Sequence, residues 1–286
     1  MIYLNSFRLL SAKNESDYIP NQLNIHTSLY PFLIFPNKKF SNIEFNPITI
    51  FYGGNGSGKT TLLNIISDTI NASRNNIDKR NELFKHYVDA CKDNYELIHL
   101  DECKCIKYIS SEDVFDYLLD LKAINSNVNR RKESLVNEYF EYRNNNYNFS
   151  INEYEEIKKE YEAKRKSASK FVRNRLVKNN IVLESNGETA LDFWQQEIKD
   201  NSLYIIDEAE NSLSAENQLK LKTFIEESAR FYNCQFIIAT HSPFLLAIEN
   251  ALIYDLDSIP VTTKKWTELD SVKTYNSFFK EHSDEF

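Results

Sequence analysis

Two kinds of hydrophobic pattern alternate along the chain. Apolar residues at helical spacing fill residues 60–73 and 215–232, which predicts amphipathic helices there. Short continuous apolar runs, typical of strands buried on both faces of a sheet, stand at residues 47–52, 106–110, 203–207, 236–240 and 251–256. Strands that alternate with helices predict an α/β fold with a mostly parallel central sheet covered on both faces.

The N-terminal region carries a different pattern. The segments MIYLNSFRLL, SLYPFLIF and NIEFNPITIFY are rich in Ile, Phe and Tyr and are interrupted by Pro and Asn. Such runs are typical of short strands separated by turns. We therefore expect an N-terminal antiparallel β region in addition to the central sheet.

Residues 121–178 interrupt the α/β pattern. They hold few aliphatic residues, and no proline occurs between residues 48 and 242, which favours long helices. The segment carries 14 Lys and Arg against 8 Asp and Glu, a net charge of +6, so the rest of the chain carries −14 of a total of −8. We predict an inserted helical lobe at 121–178, and one α/β domain formed by residues 1–120 and 179–286.

Composition excludes several classes of protein. With 42% hydrophobic and 27% charged residues among 286, the chain has the composition of a globular protein rather than a disordered one. No apolar run approaches 18 residues, so we expect no membrane-spanning helix, and the start lacks the pattern of a secretory signal. The four cysteines lack zinc-site spacing and are interpreted as reduced thiols of a cytoplasmic protein.

Glycine is scarce and concentrated. The chain has 5 glycines, whereas average usage would give roughly 20. Four lie in the run GGNGSGKTT at residues 53–61, which fits the P-loop pattern GxxxxGK[ST] between a predicted strand and a predicted helix. In a P-loop, backbone N–H groups and the helix N-terminus surround the phosphates of a nucleotide. We predict that ATP contacts Gly53, Asn55, Gly56, Ser57, Gly58, Lys59, Thr60 and Thr61.

Acidic residues follow the apolar run at 203–206. We expect Asp207 and Thr60 to hold Mg²⁺, Lys59 to reach the β- and γ-phosphates, and Glu208 to orient or deprotonate the attacking water. Strands often end in acidic residues without any such role. A P-loop earlier in the chain favours the functional interpretation, in which Asp207-Glu208 forms a Walker B motif.

Two further motifs are weaker when taken alone. His241 lies in the run ATHSP, directly after a predicted strand, where ligands bind in open α/β sheets, although a capping histidine would fit as well. The segment Ser185-Asn186-Gly187-Glu188 holds the fifth glycine and stands about 20 residues before Asp207.

In this order, the motifs resemble those of ATP-binding-cassette-type ATPases, in the soluble branch that includes the heads of SMC and Rad50 proteins. They are also similar to small bacterial predicted AAA-family ATPases of the kind found in defence operons. The resemblance implies that two heads sandwich two ATP molecules as a homodimer. Ser185, Gly187 and Glu188 of one copy would then contact the γ-phosphate bound to the other copy, and His241 would sense that phosphate.

The chain departs from this family pattern in two places. The loop near 109–113 lacks the glutamine common in cassette ATPases, so Ser111 or Glu112 is its candidate replacement, and Glu112 is our predicted metal ligand. The signature reads SNGE rather than LSGGQ, which argues against a transporter nucleotide-binding subunit and leaves that role as a weaker alternative.

The partner of the ATPase stays open between two hypotheses. In the first, the basic lobe contacts DNA or RNA through Arg130, Arg131, Lys132, Lys164, Arg165, Lys166, Lys170, Arg173 and Arg175. In the second, the dimer is an ATP-switched scaffold that holds a toxin or nuclease encoded nearby, as in antiphage defence, and the basic residues form a solvated helical face. No nuclease motif is visible in the chain itself.

Overall fold

The chain forms two compact units. The computed structural model describes residues 1–18, 29–75, 80–144, 154–165, 167–175 and 186–285. The α/β unit comprises Met1–Phe115 and Gly187–Phe286, and the helical unit comprises Asp116–Asn186. The insertion predicted at 121–178 lies within the limits of the helical unit.

The described elements follow one another as strands and helices in the predicted alternation. The strands are β1 (Leu4–Arg8), β2 (Asn42–Glu44), β3 (Ile48–Tyr52), β4 (Tyr95–Leu97), β5 (Cys105–Ser110), β6 (Ser202–Asp207), β7 (Gln235–Thr240), β8 (Leu252–Asp255) and β9 (Thr262–Thr263). The helices are α1 (Ala12–Tyr18), α2 (Ile34–Asn37), α3 (Lys59–Thr69), α4 (Glu82–Ala90), α5 (Ser111–Asn144), α6 (Tyr154–Arg165), α7 (Ala168–Arg175), α8 (Asn186–Glu197), α9 (Ala215–Phe231), α10 (Pro243–Leu246) and α11 (Asp270–Glu281).

The central sheet has the strand order β5-β6-β7-β3-β8-β9. Its first five strands in this order are parallel, and β9 pairs antiparallel with β8 at the edge. Every residue of β3, β6 and β7 is buried, as expected for strands covered on both faces. The α/β fold with a mostly parallel sheet is therefore confirmed.

A second sheet is antiparallel and has the order β2-β1-β4. This confirms the N-terminal antiparallel β region. The segment SLYPFLIF, however, is no strand where it is described: it turns after Leu33, which has a φ of 66°, and enters the short helix α2. Pro31 and Pro36 explain the difference, because proline has no N–H to donate to a sheet ladder.

One buried side chain connects the two sheets of the α/β unit. Gln235, at the start of β7, accepts hydrogen bonds through Oε1 from the N–H groups of Tyr3 (2.7 Å) and Leu4 (2.8 Å). Its Nε2 donates to the carbonyl oxygens of Leu4 (2.8 Å) and Asn46 (3.3 Å). Gln235 thus satisfies polar backbone groups at a place where water is excluded.

The helical unit has a small core of its own. Leu135 and Tyr139 of α5 pack there with Ala163 of α6 and with Phe171 and Val172 of α7. The rings of Tyr139 and Phe171 meet edge to face with centroids 5.5 Å apart.

In the described part of the chain, no helix combines the length and the apolar character needed to cross a membrane.

Candidate functional site

The predicted motifs follow three strands that are neighbours in the central sheet. The P-loop follows β3, Asp207 ends β6, and Thr240, which ends β7, lies between them because β7 pairs with both β3 and β6. Since all three strands are parallel, their carboxyl ends meet at one edge of the sheet, where open α/β sheets bind ligands.

The P-loop needs glycine at specific positions. A Cβ on Gly53 would lie 2.5 Å from Oγ of Ser57, and Gly56 and Gly58 have φ angles of +77° and +97°. The ammonium of Lys59 is buried within the loop, where it donates to the carbonyl oxygens of Gly53 (2.7 Å) and Gly54 (3.1 Å). The loop therefore folds around the amine of its own lysine.

Helix α3 starts at the end of this loop with free donors. Its N-cap is Gly58, which has no side chain to cap the helix, so the first N–H groups, which lack partners within the helix, are available to an anion. Ser57 is buried, and its Oγ has no hydrogen-bond partner among the described residues. On the first turn, Thr61 Oγ1 accepts a hydrogen bond of 3.1 Å from the Tyr30 hydroxyl.

Asp207 is a buried carboxylate facing the P-loop helix. Burial is the main cause that raises its pKa to about 6, and the negative charge of Glu208 adds to the rise. This rise in pKa is opposed by the Thr60 hydroxyl, the Tyr108 hydroxyl and the Lys59 ammonium. Tyr108 donates to Oδ2 at 3.2 Å, whereas the buried Oδ1 accepts no hydrogen bond from the described residues. The structure thus brings Lys59, Thr60 and Asp207 together.

Glu208 has an unusual backbone. Its φ of 50° and ψ of 52° lie in the left-handed region, which is sparsely populated by residues other than glycine and is associated with functional sites. Its Oε2 accepts a hydrogen bond of 2.9 Å from Nδ2 of Asn211, and its N–H donates to the carbonyl oxygen of Ala239 on the neighbouring strand.

His241 stands beside an acidic residue that the sequence analysis did not single out. Its side chain is half exposed, and Nδ1 lies 3.3 Å from Oε1 of Glu210, which is 5% exposed. Sequence alone offered one signal, since Glu210 is the third acid within the four residues 207–210.

The loop predicted near 109–113 is replaced by a helix start. Helix α5 begins at Ser111 directly after β5, and Glu112 is exposed in its first turn. No hydrogen bond or ion pair joins Glu112 to Thr60 or Asp207 in the described residues. The next residue, Asp113, is buried instead: its Oδ2 accepts hydrogen bonds from the N–H (2.8 Å) and hydroxyl (2.9 Å) of Ser110, and its Oδ1 has no partner among the described residues.

The signature segment is described only in part. Ser185 lies outside the described residues. Gly187 and Glu188 belong to the first turn of α8.

The basic residues proposed for nucleic acid are on the helices of the helical unit. Arg130, Arg131 and Lys132 are exposed on α5. Lys164 pairs with Glu160 on the same helix at 2.5 Å, and Arg165 donates to the Tyr161 hydroxyl. Lys170 is exposed on α7, Lys166 lies outside the described residues, and Arg173 and Arg175 are described in backbone only. Contact with DNA or RNA stays a prediction.

No protein-family model and no curated protein matches the chain. Among solved structures, it is similar to the SMC head domain from Thermotoga maritima, with 15% identity, 92% of this chain and 99% of that chain covered, and a TM-score of 0.40. For the Smc head domain from Pyrococcus furiosus bound to the C-terminal domain of ScpA, the identity is 13%, the coverages are 83% and 94%, and the TM-score is 0.35. For a dimeric ATP-binding cassette bound to ADP and Pi, the identity is 14%, 80% of this chain and 90% of that chain are covered, and the TM-score is 0.34. The assignment of a function therefore rests on the chain's own residues.

Proposed function

We propose that this protein binds ATP with Mg²⁺ at the P-loop and hydrolyses it to ADP and phosphate. The observation that carries the proposal is the buried Asp207 carboxylate, with an unpartnered Oδ1, close enough to the Thr60 hydroxyl and the Lys59 ammonium for both to lower its pKa. A P-loop beside such an acid is the arrangement used for phosphoryl transfer.

The residues present fit a magnesium ion. Asp207 Oδ1 is a buried oxygen that still needs an electropositive partner, and Thr60 supplies a neighbouring hydroxyl. The described residues contain no group of three or more His, Cys, Asp or Glu that could form an all-protein metal site. Mg²⁺ does not require one, because it keeps several waters and is held by one or two carboxylates together with substrate phosphates. When bound, it would neutralise charge on the phosphate oxygens.

The chain's own groups divide the remaining tasks. The free N–H groups at the start of α3 and the Lys59 ammonium bind the phosphates. Glu208 accepts a proton from the attacking water, and its carboxylate is oriented by the amide of Asn211. His241, which follows the strand between β3 and β6, contacts the γ-phosphate.

The proposal includes a second copy of the chain. Ser185, Gly187 and Glu188 of that copy complete the site, so that ATP joins two α/β units and its hydrolysis separates them. The support is the sequence order of the motifs and the place of Gly187 and Glu188 in the first turn of α8, because the first N–H groups of a helix have no partner within the helix.

The test traps this dimer. Glu208→Gln keeps the size of the side chain and removes its basicity, so we expect a protein that binds ATP, hydrolyses it at least about 100-fold more slowly and becomes dimeric in light scattering. In the double variant with Lys59→Ala, ATP binding and the dimer should both be lost. Lys104→Ala, which removes only an exposed pair with Asp200, is the matched lysine control.

Two results would contradict the proposal at different levels. If wild-type protein bound no ATP in the presence of Mg²⁺, the nucleotide site itself would be wrong. If Glu208→Gln bound ATP and stayed monomeric, the site would stand and the role of the second copy would fall.

A further inference from the structure

Glu210 is a buried acid to which the proposed function gives no role. Its Oε1 accepts hydrogen bonds from the Thr240 hydroxyl (2.6 Å) and the His241 N–H (2.9 Å), and the imidazole Nδ1 of His241 lies 3.3 Å away. Three groups of the Thr240–His241 segment thus converge on one oxygen. Its Oε2 is buried and has no partner among the described residues.

The position of Glu210 explains this convergence. It lies in the 3₁₀ turn Ala209–Ser212, which follows β6 and Glu208, whereas Thr240 ends the neighbouring strand β7. The side chain therefore bridges the segments that follow two adjacent strands. Thr240 is itself fixed, because its hydroxyl oxygen also accepts the N–H of Ser242 at 3.0 Å.

The contact decides how the imidazole is presented. With Nδ1 turned toward Glu210, the other ring nitrogen, Nε2, points to the opposite side of the ring, and no hydrogen bond engages it within the described part of the chain. The side chain is half exposed and follows β7, so a ligand at the carboxyl edge of the sheet can reach the imidazole. A carboxylate on one imidazole nitrogen commonly fixes the tautomer and orientation of the ring.

We propose that Glu210 is the positioning residue for His241: it holds Nδ1 and the main chain of His241, so that Nε2 is directed at the γ-phosphate of bound ATP. This inference rests on the proposed ATPase function and deepens it. Glu210 touches neither the nucleotide nor the water and acts only through His241.

The kinetic test is a double-mutant cycle. Glu210→Gln keeps the shape and one acceptor oxygen but removes the charge that holds the imidazole, so we expect kcat to fall about tenfold, as for comparable supporting residues, with unchanged ATP affinity. In the His241→Ala background, Glu210→Gln should cause no further loss, because the imidazole that Glu210 positions is already absent. Glu226→Gln is the matched control, since Glu226 also accepts a backbone N–H, that of Glu249, from a partly buried position.

An equal fall in kcat in both backgrounds would overturn the proposal, because Glu210 would then act independently of His241. A second measurement needs no activity: ¹⁵N-edited NMR of the imidazoles, with His241 assigned by its absence in His241→Ala. We expect a proton on Nδ1 in the wild type and shifted ring-nitrogen signals in Glu210→Gln. An unprotonated Nδ1, or identical signals in both proteins, would overturn it. A wild type that hydrolyses no ATP would instead contradict the proposed function.

Discussion

The two units of this protein bury different kinds of side chain. Every buried polar or charged side chain in the described part of the chain belongs to the α/β unit, whereas the core of the helical unit consists of five buried residues with apolar side chains or rings. Burying a polar group lowers stability unless a partner satisfies it. The α/β unit therefore contains buried groups that need specific partners. The core of the helical unit is held by packing, and its polar contacts, such as Lys159 of α6 with Glu138 of α5 (3.3 Å), lie outside that core.

The buried polar groups of the α/β unit fall into two classes. Gln235 has all its observed partners within the fold and serves its construction. At the carboxyl edge of the sheet, one buried side-chain oxygen lacks a described hydrogen-bond partner in each of Ser57, Asp207 and Glu210. Several such oxygens at one edge of the sheet are typical of a ligand site, although a buried oxygen without a described partner also occurs elsewhere in the unit, as in Glu15.

The largest effect should follow from removing a structural polar group. Gln235→Leu leaves the N–H groups of Tyr3 and Leu4 buried without partners, so we expect a loss of about 4 kcal/mol in the free energy of unfolding, at roughly 1–3 kcal/mol for each unsatisfied group. Urea denaturation measures it. The control is Asn5→Ala on β1, the strand that holds Leu4. It removes an exposed hydrogen bond to Glu96 and should cost less than about 1 kcal/mol. Equal losses for the two variants would refute the distinction.

The sequence predicted the parts of this comparison that depend on neighbouring residues. The P-loop requires only its own glycines and lysine, and β3, β6 and β7 are continuous apolar runs, so these elements were recognisable locally. The antiparallel region and the parallel sheet followed from the same patterns. Edge strand β9 and helix α11 were not predicted, because the former has two residues and most of the latter is exposed.

The contacts that the sequence did not predict join distant residues. Gln235 directly precedes the apolar run 236–240, and its partners Tyr3 and Leu4 are more than 230 residues away. Glu210 is 30 residues from Thr240, and only the pairing of β6 with β7 brings them together. Glu112 was the predicted metal ligand near 109–113, whereas the helix that starts at Ser111 exposes Glu112 and buries Asp113.

A second effect, which is local rather than global, should appear in the helical unit and stay there. Phe171→Ala removes a fully buried ring from a five-residue core, which should cost about 3–5 kcal/mol of local stability. We expect faster hydrogen exchange of the described amides of α6 and α7, with unchanged protection of β3, β6 and β7. Phe140→Ala, where the ring is half exposed, is the matched control. Faster exchange throughout the α/β unit would show that the two units do not unfold independently.

The smallest effect sharpens the claim that unsatisfied buried polar groups lower stability unless they serve a site. Glu15 is fully buried outside the P-loop; Oε2 accepts the N–H of Leu33 at 2.6 Å, and Oε1 has no partner among the described residues. Burial raises its pKa above the ordinary value of 4.5, so the ionised form is disfavoured by folding, and its contribution to stability is present below pH 4.5 and lost as the pH rises through the folded-state pKa.

Glu15→Gln keeps an acceptor for Leu33 and cannot ionise. We therefore expect it to raise the free energy of unfolding at pH 7 by at most about 1 kcal/mol, and the gain should vanish as the pH falls well below 4.5, where Glu15 is protonated in the folded and the unfolded chain alike. Urea denaturation at both pH values measures the difference, and the exposed Glu96→Gln should show none. A variant less stable than wild type at pH 7 would mean that the buried carboxylate supports the fold, and the two classes of buried polar group would merge into one.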